Sequence, residues 1–167
     1  MNQELFETKI VETHVCLEPK ELDSNFEEIL YQKVKKKLED TCLKDYGYIY
    51  KVISIHKYMF EEIMKMIPNI FFLIEVKINS YLPKIGDKIK INVEFIFNHG
   101  IYGGFEKIKV LVPIQTLHDW KLNQEFSHLM LIHKDNIKNT IKKGDIIHVE
   151  ITNIRFEKQN FSCLAKI

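Results

Sequence analysis

Cysteine is scarce and poorly placed for cross-linking. The chain has three, Cys16, Cys42 and Cys163, widely separated, odd in number and without a CxxC pair. That spacing argues against a disulfide framework and a structural zinc site, and it points to a reducing compartment, nucleus or cytoplasm. No run of about 18 apolar residues is present, the length a membrane-crossing helix needs, so no membrane partner is expected. The opening MNQELFETKI lacks the basic-then-apolar pattern of a secretory signal, and secretion is not expected. Catalytic signatures are missing too: there is no GxxxxGK(S/T), GxSxG or HExxH. His118, His128 and His133 fall in a polar connection, and His128 with His133 has half a zinc-site spacing. No cysteine or acidic cluster completes it locally, so neither a metal nor another cofactor is expected, and no enzymatic activity. Arginine is rarer still: Arg155 stands alone among 24 Lys and Arg residues, a bias that reads as AT-rich coding. No internal repeat or low-complexity tract stands out.

What is present is ample core material. At 167 residues and 46% hydrophobic, the chain suits one domain or two small ones. The net charge of +1 excludes a generic polyanion binder, but the charge is uneven. Residues 1–83 carry 11 Lys against 14 acidic residues, and 84–167 carry 13 Lys and Arg against 9. Either this is noise in a lysine-rich chain or the second half is the face toward a phosphate backbone.

The first half reads as β-α-β-β-β. Residues 5–17 hold the β-branched residues of a strand, stopped by Pro19. From Glu21 to Asp40 the period changes, with Leu22, Phe26, Ile29, Leu30, Val34 and Leu38 on one helical face. Acidic residues lie early and Lys33, Lys35, Lys36 and Lys37 late, which complements the helix dipole and reads as a solvated helix end. Residues 46–55 read as a strand, 57–66 as a second strand or a short helix, since Met59, Ile63 and Met66 fit either period, Pro68-Asn69 as a turn, and 70–78 as a buried strand. His14 and Cys16 share a strand face and read as sheet interior.

The most informative stretch is Tyr81–Phe105. Gly86-Asp87 turns the chain into the alternating run Ile89, Ile91, Val93, Phe95, Phe97, read as the interior of a barrel. Further strands follow near 100–106 and 107–113. Residues 118–143 read as polar and irregular, with Leu129, Met130 and Leu131 as an apolar patch. Gly144-Asp145 then opens a strand alternating Ile147, Val149 and Ile151, and Asn160 turns into the last one, 161–167. Five strands with an elaborated third-to-fourth connection predict an OB barrel, a common single-stranded nucleic-acid binder. The predicted architecture is thus an α+β domain at 1–83, one helix on a small antiparallel sheet, followed by an all-β OB-fold barrel at 84–167. No flexible linker occurs at 80–86, and rigid packing of the halves is expected.

The order of elements resembles one family: the stalk subunit of archaeal and eukaryotic multisubunit RNA polymerases. Leu17-Glu18-Pro19 sits where that family carries an LxP element. Lys33–Leu38, Thr41-Cys42 and Lys44-Asp45-Tyr46-Gly47-Tyr48-Ile49 resemble its helix end, short loop and GY strand start. Val76–Gly86 resembles its inter-domain strand, and Val112-Pro113-Ile114 with Leu117, then Gly144-Asp145-Ile146, match the barrel's later landmarks. The lysine bias suits a large DNA virus or a protist with an AT-rich genome.

The resemblance implies a non-catalytic subunit whose N-terminal tip domain docks near the clamp base of the largest polymerase subunits, in nucleus, cytoplasm or virion. A small helical companion subunit is a further implied partner, and nascent single-stranded RNA is the implied ligand of the barrel. The docking candidates are Leu17, Pro19, Lys44, Asp45, Tyr46, Gly47 and Tyr48. Gly47 is then either a point of close approach for the polymerase or a simple turn residue, and Tyr48 either an anchor or a core side chain. RNA binding needs flat side chains for bases and cations for phosphates. Tyr102, Phe105, Lys107 and Lys109 qualify on strands two and three, with Arg155 and Lys158 in the last hairpin, although Phe105 also fits a core position. A free-standing OB-fold RNA-binding protein and a pure protein-interaction module are the competing readings.

Overall fold

The computed structural model describes residues 3–63, 69–125 and 128–167, with the side chains of 3, 62, 63, 125 and 128 outside that description. Two compact units emerge, Leu5–Leu82 and a second comprising Pro83–Ile167 together with Gln3 and Glu4.

The first unit is one helix on an antiparallel sheet. Its elements are β1 (Glu7–Leu17), α1 (Phe26–Leu38), β2 (Thr41–Leu43), β3 (Gly47–Ile63) and β4 (Ile70–Tyr81), with sheet order β1-β4-β3-β2. Alternation along β1 sends Val11, Thr13, Val15 and Leu17 to the buried face. There they join Ile74, Val76 and Ile78 of β4, and Leu30, Val34 and Leu38 of α1 close the cluster. Fully buried side chains such as Leu30 and Val34 each contribute about 1.5–3 kcal/mol. His14 and Cys16 belong to the opposite face and are exposed, not interior as expected, because the helix covers the other side; His14 meets Glu61 at 3.2 Å.

The helix begins later than its periodicity suggested. Pro19–Glu21 is a separate 3-10 turn, and Leu22 is exposed outside the helix. Glu21 accepts the Glu18 N–H at 2.8 Å and the Lys33 ammonium at 2.6 Å. The Lys33 contact, then the backbone bond, holds the Glu21 carboxyl below its usual range. The lysines expected as a solvated cluster are partly spent on β1: Lys33 donates to the Cys16 carbonyl at 3.1 Å and Lys37 to the His14 carbonyl at 2.6 Å.

The strand expected at 46–55 and the strand or short helix expected from 57 form a single strand, β3, as far as Ile63. Four register shifts against β4, at Ile49/Lys51, Val52/Ser54, Ile55/Lys57 and Phe60/Glu62, break its alternation and so disguised its continuity. Met66 and Pro68 lie outside the described residues. The short β2 was not anticipated; three residues are too few to carry a period.

The second unit is a closed barrel with an inserted sheet. Its elements are β5 (Lys88–Phe97), β6 (Gly100–Phe105), β7 (Ile108–Pro113), β8 (Trp120–Glu125), β9 (His128–His133), β10 (Thr140–Ile141), β11 (Ile146–Glu157) and β12 (Asn160–Lys166). The barrel closes in the order β11-β12-β7-β6-β5, and β12 runs parallel to β7. Ile91, Val110, Ile151 and Ala165 are among the side chains that fill it. The connection expected to be irregular instead forms the antiparallel sheet β10-β9-β8, with Leu131 fully buried and Met130 nearly so. Its polar, short strands gave little period to read.

Cys163 lines the barrel interior. Burial, with a smaller contribution from the Asp87 charge, pushes its thiol up to about 11 from the ordinary 9.0. A raised folded-state value favours the protonated thiol, so its stabilising contribution holds below pH 9 and is lost as pH rises toward about 11. A thiol reagent at neutral pH is expected to modify Cys16, which is exposed, and to reach Cys42 and Cys163 only on unfolding. Rapid reaction of a second thiol in the native protein would contradict the packing.

Candidate nucleic-acid interface

Period-2 alternation on the barrel turns Val110, Cys163 and Ala165 inward and Lys109, Ser162, Leu164 and Lys166 outward. Strand pairing then decides which outward residues meet. The parallel pair β7/β12 sets Lys109 beside Ser162 and Leu111 beside Leu164. Tyr102 on β6 lies opposite Leu111, and Arg155 on β11 opposite Ser162. These side chains line a groove of about 360 Å³ on the outer surface.

A bulge extends the groove sideways. Between Val93 and Phe95 the β5/β6 register shifts by one residue. The inward run Ile89, Ile91, Val93 ends there, and Phe95 turns outward to 55% exposure. Phe95 was expected inside the barrel; one inserted residue is enough to exchange the faces of a strand. Phe97 is half-buried. The Phe95 ring faces Tyr102 at 6.3 Å between centroids, tilted 37°, and the Lys143 ammonium lies 4.9 Å from its centroid. The surface therefore carries two aromatic rings, the apolar Leu111 and Leu164, and the cations Lys109, Lys143 and Arg155. Sequence periodicity missed Phe95, Lys143, Leu111 and Leu164; local alternation cannot reveal a bulge.

Three of the residues chosen from sequence, Tyr102, Lys109 and Arg155, meet at this groove. Arg155 pairs with Glu157 at 2.5 Å, but the Arg155 side chain is 75% exposed, and such surface pairs contribute only about 0–1 kcal/mol, so exchange for a phosphate would cost little. Phe105, Lys107 and Lys158 do not line the groove. Phe105 is half-buried at the end of the β6/β7 pair, Lys107 is in the hairpin after it, and Lys158 is in the β11–β12 turn at φ 48°. Because β7 and β12 run parallel and each begins at one of these turns, Lys107 and Lys158 occupy the same end of the barrel.

The residues expected to dock on a polymerase belong to the first unit. Pro19, Lys44 and Asp45 are exposed and Tyr46 is half-buried. Leu17 is fully buried, and Tyr48 is 3% exposed with its hydroxyl donating to Asp40 at 3.1 Å, so neither offers a surface. Gly47 does accommodate a close backbone approach, but the neighbour is its own unit. At φ 86°, a Cβ there would stand 2.0 Å from the Tyr81 carbonyl oxygen.

Among the described residues, no group of three or more His, Cys, Asp or Glu side chains could hold a metal, and the His128 side chain lies outside them. No helix among them is long and apolar enough to cross a membrane. Compared with protein-family models and with curated proteins, the chain matches none.

Proposed function

We propose that the barrel is an OB-fold that binds single-stranded RNA, and that the chain is a non-catalytic stalk subunit of a multisubunit DNA-directed RNA polymerase. The observation that carries the RNA reading is the outward row Phe95, Tyr102, Lys109 and Arg155 on a closed five-stranded barrel. OB barrels take oligonucleotides across their second and third strands, here β6 and β7, and an elaborated connection separates the third from the fourth. Rings would stack bases while the cations hold phosphates. The stalk reading rests on the sequence resemblance, supported by a helix-on-sheet unit preceding the barrel. In that reading Pro19, Lys44, Asp45 and Tyr46 are the residues left to meet the clamp base of the largest subunits. A small helical companion subunit is the other proposed partner.

Burial of Leu17 and Tyr48 favours a second reading, a free-standing RNA-binding protein, since these residues already serve their own unit. Affinity purification of the tagged chain from its native source at moderate salt separates the two. Recovery of the two largest polymerase subunits in near-equal amounts supports the stalk; RNA or ribosomal proteins without polymerase would exclude it. RNA affinity should fall as salt rises, and Lys109→Ala with Arg155→Ala should flatten that log–log slope by about 0.7 per lost phosphate contact. An unchanged slope would remove these two cations from the interface.

A further inference from the structure

A second cleft, of about 570 Å³, opens where the inserted sheet meets the end of β12. Its lining includes His118, Asp119, Trp120, His133, Asn139 and Lys166. Trp120 is the only tryptophan of the chain, and its ring stands edge-on to His133 at 5.1 Å and 87°. His133 accepts the Asp135 N–H on Nδ1 at 3.2 Å, which leaves Nε2–H as a donor. Among the described residues, the indole N–H of Trp120, the Asp119 carboxylate and the side-chain amide of Asn139 have no hydrogen-bond partner, although the Asn139 backbone bonds to Asn136 and His133. A cleft of ligand size with an aromatic wall and several uncommitted polar groups has the form of a small planar-ligand site.

Its position ties it to the barrel groove. The outward residues of β12 run Ser162, Leu164, Lys166; the first two line the groove and the third lines this cleft. Leu164 and Lys166 lie two positions apart on the strand, roughly 6.7 Å at the rise of an extended strand and about the reach of one nucleotide. Since β7 and β12 run parallel, one path leads from the basic turns at Lys107 and Lys158, over Tyr102, Lys109 and Arg155, to Trp120.

We infer that this cleft is a nucleobase pocket at the end of the RNA path, and that it prefers guanine. It deepens the reading of the barrel as an RNA binder. The Trp120 indole stacks on the base. The Watson–Crick edge of guanine presents one acceptor beside two donors, which complement the Nε2–H of His133 and the carboxylate of Asp119. Adenine offers one donor there and leaves the carboxylate half-used.

Trp120 emission reports on the cleft alone, because no second tryptophan contributes. The test follows that emission during titration with GMP and AMP, and in parallel follows the anisotropy of labelled oligouridine and of the same oligomer carrying a single guanosine. GMP and the guanosine oligomer are expected to change the emission, AMP less so. Trp120→Ala should weaken the guanosine oligomer about tenfold, and Asp119→Ala, at an exposed position, should reduce the guanine preference by about as much. Anisotropy change with Trp120 emission unmoved overturns the pocket and leaves the barrel reading intact. Emission change with GMP but no binding of either oligomer overturns the barrel reading, and with it the place of the cleft on an RNA path, leaving a site for the free nucleotide alone. Silence in both channels overturns both.

Discussion

Gly47→Ala is expected to lower the stability of the first unit by about 3 kcal/mol or more, a fall in melting temperature of roughly 12–24 °C for a domain of this size. Two effects combine. Gly47 sits at φ 86°, where a side chain brings strain of about 1–2 kcal/mol. The larger effect is contact: the new Cβ would stand 2.0 Å from the Tyr81 carbonyl oxygen and 2.5 Å from the Leu82 Cα, both rigid backbone. Relief requires the start of β3 to leave β4, and with it Tyr48, which pairs with Tyr81 in the register and packs near the Phe6 ring at 6.5 Å. Gly86→Ala is the control. Gly86 has a similar φ of 91° but nothing within 4 Å of its Cβ position, so only the strain applies. Melts of the two variants by circular dichroism decide the matter; equal losses would mean that contact at Gly47 is relieved without cost.

The same residue shows what the sequence could and could not say. A glycine before an aromatic strand announces a special backbone position, and one is found. Whether the backbone that approaches it belongs to a partner or to β4 depends on pairing across residues 47–49 and 80–81, which no local pattern records. Tyr48 divides the same way: as a sequence feature it fits an anchor or a core residue, and the fold puts it in the core. The barrel was more legible. Gly86-Asp87 and Gly144-Asp145 each open a run of clean alternation, and both glycines take the positive φ that such turns need. Ile89, Ile91 and Val93, with Ile147, Val149 and Ile151, are interior as their spacing requires. Alternation fails where the strand itself is irregular. The bulge at Phe95 reverses a face without any change of composition, and the shifts along β3 make one strand look like two. Trp120, Leu122, Leu129 and Leu131 do recur along β8 and β9, but six-residue strands with polar neighbours were indistinguishable from a loop.

In the proposed RNA-binding reading, the bulge supplies the second ring. With regular alternation beyond Val93, Phe95 would enter the barrel and Tyr102 would stand alone outside. As it is, two rings at 6.3 Å form a stacking surface with a cation at either flank, Lys143 over Phe95 and Lys109 on β7. Stacking on an aromatic side chain contributes about 1–3 kcal/mol per base, so Phe95→Ala or Tyr102→Ala should weaken oligouridine binding about tenfold, and the pair about a hundredfold where the effects add. Anisotropy of a labelled oligouridine at low salt measures this. Phe95 is largely exposed, so its loss should leave the melting temperature nearly unchanged and separate a binding defect from an unfolded barrel. The salt slope gives a second axis: removing rings should reduce affinity at every salt concentration in parallel, because no phosphate contact is lost, whereas removing Lys109 and Arg155 should tilt the line. If the double ring variant binds oligouridine within twofold of the parent, charge alone holds the RNA, and the aromatic row is not its platform.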